Sequence, residues 1–187
     1  MYVYRMETPT LTRDAWLTQA LTVLKAQGHG ALKAQPLAKS LNVTRGSFYH
    51  HFDSLQAFHA AVLDHWSRTS SGQLIQTIRA MADPREALET LLQQTFRSGE
   101  ALERAIRAWS TVAPPVAEAV ARVDQDRIGL AEALLIQCGV NAPEAKPRAR
   151  LLYWAAIGRL MMPFPDQSTL SPAEISALAN LMASHPS

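Results

Sequence analysis

The sequence predicts an all-α fold. Apolar residues recur every three to four positions in most segments, and no alternating strand pattern of useful length appears. An Asp, Asn or Ser followed by proline and glutamate opens one segment after another, which is the signature of a helix N-terminus. With 187 residues, 48% hydrophobic and 18% charged, the chain can bury a sizeable core as one large domain or two small ones. The pattern divides into about nine helices, with no internal repeat or low-complexity tract.

The first helix is expected over 12–27, with Leu17, Ala20, Leu21 and Leu24 on one stripe and "GHG" at 28–30 ending it. A short second helix follows Pro36 and carries Leu37, Ala38 and Leu41 inward. Beyond the segment 43–52, a long helix is expected over 53–80, opened by Asp53 and Gln56 at capping-box spacing. "DPRE" at 83–86 offers an Asp cap, a proline at the first helical position and a glutamate at the third. "SPAE" at 171–174 repeats it, and "NAPE" at 141–144 is a weaker version because Pro147 delays or bends its helix. Helices over 100–112 and 115–138 lie between, and "PFPDQSTLSP" at 163–172 reads as the one long loop.

Composition narrows the function classes. The N-terminus "MYVYRMETPT" lacks the apolar run of a signal peptide, and no stretch approaches the ~20 apolar residues of a membrane span. Cys138 is the single cysteine, so no intrachain disulfide forms and a reducing cytoplasm is expected; packing explains it better than redox sensing. The net charge is only +2, but its distribution is uneven. Residues 1–70 hold seven Lys/Arg against four Asp/Glu, whereas residues 71–187 hold eleven against twelve. Four of the six histidines lie between 50 and 65. The positive field therefore sits on the N-terminal third.

"VTRGSFYHHF" at 43–52 crowds aromatic and imidazole rings behind a single charge. At 100° per residue, Phe48 and Phe52 share a face and belong to the core. His50 lies opposite, Ser47 turns outward, and Tyr49 and His51 sit on the flanks. Metal binding fits poorly, since helical ligands want His at i and i+4 while neighbouring His50 and His51 diverge by 100°. No nucleophile context such as Gly-x-Ser-x-Gly and no Gly-rich phosphate loop appears, so neither an enzyme nor a cofactor is expected. A plain helical hairpin would not explain why the outward face carries so few charges. With "PLAKSLNVTRG" ahead of it, the segment forms helix, tight turn and short polar-faced helix, the arrangement that enters a DNA major groove.

These residues carry a family resemblance as well. "LAKSLNVTRGSFYHHFDSLQAFHAAVL" at 37–63 resembles the helix-turn-helix of the TetR (tetracycline-repressor) family. The match includes the Ala-centred second helix, Val43, Gly46 and an aromatic run ending in His-Phe. "ERAIRAWSTVAPPVAEAVARVD" at 103–124 is similar to a stretch found in many such regulators. The resemblance implies a homodimer in which each subunit has a three-helix DNA-binding head and a body of about six helices. The head would span 10–70, with its motif at about 33–52, and the ligand-binding and dimerisation body 71–187. It implies that Thr44, Arg45 and Ser47 approach bases around Gly46, and that Tyr49 and His50 grip phosphates with His51 beside them. The family usually places a lysine two residues into the fourth helix, where this chain has Leu55 followed by Gln56. Lys33 and Lys39 are the candidates to compensate for that lost contact.

In the body, Phe96, Trp109, Tyr153, Trp154 and Met161 fit either a packed core or, by the resemblance, the lining of a pocket for an apolar or aromatic ligand. Glu100, Glu103, Arg104 and Arg107 are helical neighbours and read as a solvated face. "LLYWAAIGRLMM" at 151–162 and "ISALANLMA" at 175–183 would pair with their symmetry mates in a four-helix bundle. Ala155, Gly158, Met162, Leu178 and Leu181 are its candidate interface, with Ala156 also small enough for close approach. The expected function is that of a cytoplasmic, nucleoid-associated regulator, a repressor that leaves a palindromic operator when a small effector binds. A protein-interaction adaptor that keeps the fold without useful DNA affinity is the alternative, and the missing lysine is its one argument.

Overall fold

The computed structural model describes residues 11–97, 100–162 and 169–184, and within them the chain forms ten α-helices and no strand. The segment 1–10 and most of the loop expected at 163–172 lie outside the described residues. Two compact units divide the chain, Met1–His65 and Trp66–Ser187.

The first unit holds α1 (Arg13–Gln27), α2 (Ala34–Ser40), α3 (Arg45–His51) and most of α4 (Leu55–Ser67). Thr12 caps α1 by accepting from the Ala15 N–H, and Gly28 ends it at φ 76°, a conformation that favours glycine. The helix α2 begins before Pro36, not after it, so the proline occupies the first turn, where its missing N–H costs little. Ser54, not Asp53, caps α4, accepting from the Ala57 N–H at 3.0 Å. Inside, Phe48 meets Trp16, Phe52 and Phe58 with ring centroids 5.6, 5.3 and 5.1 Å apart, largely edge to face. Such contacts add to the area these rings bury, and Leu17, Leu24 and Leu37 complete a core with no solvent exposure.

The second unit begins at Trp66 and holds α5 (Gln73–Arg79), α6 (Pro84–Arg97), α7 (Glu100–Ser110), α8 (Pro114–Gln137), α9 (Ala142–Leu160) and α10 (Pro172–Ala183). The helix expected over 53–80 is α4 and α5 joined end to end by a π turn at Arg68–Gly72, where Ser67, Gly72 and Gln73 keep right-handed helical angles. That insertion accounts for ten helices where the periodicity counts nine. It also shifts the phase of the apolar stripe, so Trp66 and Ile78 both reach buried positions.

Asp83, Asn141 and Ser171 cap α6, α9 and α10 as their sequences specify, the last with a complete capping box to Glu174. The helix α9 starts at Ala142 and runs through Pro147 without delay. Its inner stripe of Ala145, Ala149, Leu152 and Ala156 packs with Leu88 and Leu92 of α6, Leu134 and Leu135 of α8 and Ile175 of α10. Arg148 ties the end of α10 to α9, donating to the carbonyls of Met182 and Ser184 at 2.7 Å each and to Glu144.

Candidate functional site

Three surfaces concentrate chemistry: the outward face of α3, a cavity inside the second unit, and one face of α9 with α10.

The α3 face is set by the turn before it. Asn42 adopts φ 54°, a left-handed angle that asparagine tolerates better than most side chains. The Val43 N–H donates to the Ala38 carbonyl at 2.9 Å, closing the turn between α2 and α3. Thr44 then caps α3, its hydroxyl accepting from the Ser47 N–H. Phe48 and Phe52 are buried, as the helical phase requires, which turns Arg45, Gly46, Tyr49 and His50 outward. Ser47 is half-buried. Arg45 Nη2 donates to the Tyr49 hydroxyl at 3.2 Å, and its guanidinium lies 5.4 Å from the ring centre. The hydroxyl hydrogen of Tyr49 thus stays available to another acceptor. His51 is placed differently from its neighbours. Its ring packs 6.4 Å from Trp16 and its Nε2 is buried without a hydrogen-bond partner among the described residues. Lys33 flanks the start of α2 and Lys39 its last turn, both exposed, and Leu55 stands exposed as the first residue of α4.

The cavity, about 380 Å³, lies among α5, α6, α7, α8 and α9. Phe96 and Tyr153 line it together with Trp66, Leu92, Leu152 and Ile157. Trp109 is buried but outside the lining, while Trp154 and Met161 are 63% and 66% exposed. The reason is phase: Trp154 stands 100° round the helix from Tyr153 and about 160° from Leu152, on the far side of α9.

The polar end of this cavity corrects the reading of α7 as a solvated face. Glu103 is only 8% exposed and forms the centre of an ion-pair network. Arg127 reaches its carboxylate with both terminal nitrogens at 3.0 and 3.3 Å, and Arg107 approaches it at 2.9 Å. Arg107 also binds Asp124 at 2.8 and 3.2 Å and donates to the Tyr153 hydroxyl at 2.7 Å. Tyr153 in turn donates a short hydrogen bond to Asp124. Burial, and then this bond, push the Tyr153 pKa well above its usual range, so the phenol stays neutral. Burial alone would lower the Arg107 pKa, but the hydrogen bond to Asp124 and the neighbouring charges hold it above its ordinary value. One signal in the sequence foreshadows the network: fully buried Ile106 is three residues after Glu103, so the buried stripe of α7 runs through that glutamate.

The third surface carries unusually large apolar groups. Leu151 and Trp154 on α9, Met161 and Met162 just beyond its end and Leu181 on α10 are between 49% and 66% exposed. Ala155 and Gly158 lie exposed along the same stripe, and a Cβ added at Gly158 would meet nothing within 4 Å. Leu178 is half-buried and Ala156 faces inward. Burial pushes the Cys138 thiol up, away from the thiolate that a reactive cysteine needs. Among the described residues no helix is long and apolar enough to cross a membrane.

Comparison with known proteins places this arrangement. The family model described as "Bacterial regulatory proteins, tetR family" matches residues 17–62, which contain α2, the turn, α3 and the start of α4. An uncharacterized HTH-type transcriptional regulator of Mycobacterium tuberculosis is 25% identical over 160 residues, 84% of this chain and 79% of that protein. The crystal structure of reduced Escherichia coli NemR superposes with a TM-score of 0.78 at 20% identity, covering 94% of this chain and 99% of that one. Bacillus subtilis FadR, solved with stearoyl-CoA, aligns over 90% of this chain and 96% of its own at a TM-score of 0.67 and 13% identity. The helix-turn-helix geometry and the family match at 17–62 agree, and residues 17–62 carry the helix-turn-helix of the tetR family of bacterial regulatory proteins.

Proposed function

We propose that the protein is a homodimeric DNA-binding transcriptional regulator, a repressor that leaves a palindromic operator when a small, mainly apolar molecule occupies the body cavity. The observation that carries this reading is the α3 face. Two buried phenylalanines fix the phase, and Arg45, Tyr49 and His50 stand exposed behind the threonine-capped start of the helix. Arg45 is assigned to base edges with Thr44 and Ser47, and Tyr49 and His50 to phosphates. His51, packed on Trp16, braces the helix from the inside. The exposed stripe of Leu151, Trp154, Ala155, Gly158 and Met161 is assigned to the dimer interface with Leu181, since so much adjoining apolar surface favours burial against a second copy.

Two heads of a dimer read successive major grooves only when spaced about 34–36 Å apart. An effector that binds a differently spaced form more tightly draws the population away from DNA by that difference in affinity. Selection from a random double-stranded DNA pool tests the reading. An enriched palindrome is expected, and no enrichment would favour the adaptor, for which exposed Leu55 in place of the family's lysine argues.

A further inference from the structure

The polar end of the body cavity is electrically closed. Glu103 and Asp124 supply two negative charges, Arg107 and Arg127 two positive ones, and each carboxylate touches a guanidinium at 3.0 Å or less. Tyr153 adds a neutral phenol. Both guanidinia stay charged: burial opposes it, but the hydrogen bond to Asp124 for Arg107, and the charge of Glu103 for Arg127, outweigh that penalty. Arg159, the other buried charged side chain among the described residues, does not line the cavity. Trp66, Leu92, Phe96 and Ile157 make most of the remaining wall apolar.

This balance constrains the occupant. An ionised ligand would enter a site whose charges are already matched, and an unpaired buried charge is heavily penalised. An anion that took the place of Glu103 on Arg127 would strand that carboxylate in turn, and one added beside it would bring a net negative charge into the site. The volume of about 380 Å³ lies at the small end of ligand sites. We infer that the cavity selects a compact, uncharged and largely apolar molecule bearing a hydrogen-bonding group, with the Glu103–Arg127 pair enforcing the selection by keeping the polar end neutral. The inference rests on reading the cavity as the effector site.

Two fluorescent probes test it. N-phenyl-1-naphthylamine is neutral, and 8-anilino-1-naphthalenesulfonate shares its ring systems but carries one sulfonate. Titrated into the full chain, the neutral probe is expected to bind at least about tenfold more tightly. Ile157→Trp, which fills the cavity from a half-buried wall position, should abolish the neutral-probe signal. Glu103→Gln leaves Arg127 in excess and should narrow or invert the preference. Arg127→Met leaves the polar end negative, and should weaken the sulfonate probe further while sparing the neutral one; it serves if Glu103→Gln does not fold. Equal affinity of the two probes for the native chain, or a preference unmoved in a folded charge variant, overturns the charge selection and leaves the cavity reading intact. Absence of neutral-probe binding, or binding that survives Ile157→Trp, overturns the cavity reading itself.

Discussion

The two units put the same residue types to opposite use. In the first, Trp16, Phe48, Phe52 and Phe58 form the core, while Arg45, Lys33 and Lys39 stay in water. In the second, Glu103, Arg107, Asp124 and Arg127 turn inward onto one another, while Trp154 and Met161 are left outside. A cation left in water costs nothing to maintain and can meet a phosphate, so it suits nucleic-acid contact. A buried charge persists only with a partner, which makes it a precise lining element and a fragile one.

That contrast predicts where the molecule breaks. Glu103→Ala strips the bidentate partner from Arg127 and one partner from Arg107, and is expected to cost about 3–5 kcal/mol of body stability in a urea melt. Phe52→Ala in the head should cost a similar amount, about 3–5 kcal/mol, through the cavity it opens beside Phe48 and Phe58. If Glu103→Ala were tolerated while Phe52→Ala was not, the body network would be a surface feature after all.

Gly158→Glu probes the exposed face of α9. No neighbour lies near its Cβ within the subunit, so the isolated fold should keep its melting temperature. In a dimer packed on this stripe the carboxylate is buried, and light scattering should report monomers with operator binding lost through the missing second half-site. A variant that stays dimeric would move the interface elsewhere. Tyr49→Phe should cost about 1–2 kcal/mol of DNA affinity, alike on specific and random sequences, because it removes one phosphate hydrogen bond and keeps the ring. Unchanged gel-shift affinity would remove that hydroxyl from the interface. Smallest of all, His50→Ala should leave the head's melting temperature nearly unchanged while weakening binding, since the side chain is exposed.

The head was legible because its signals are local. Thr44 caps, Gly28 stops, and two phenylalanines four apart fix a phase, all within one or two turns of chain. The body resisted because the stretch "LLYWAAIG" at 151–158 of α9 is apolar nearly all round, so it carries no stripe that says which face turns inward. Tyr153 and Trp154 look equivalent in sequence, yet one lines the cavity and the other meets solvent.

By itself the sequence determined the all-α class, nearly every helix start, the helix-turn-helix and the outward face of α3. Each follows from the 3.6-residue period and from caps that act within four residues. Only the tertiary structure decided that Glu103 is buried, because its partner Arg127 is 24 residues away and the linked Arg107 and Tyr153 are 46 apart. It also decided which side of α9 faces the cavity. Charges and apolar groups on a helix are assigned to water or core by the surfaces that pack against them, and a helix's own sequence does not contain those surfaces.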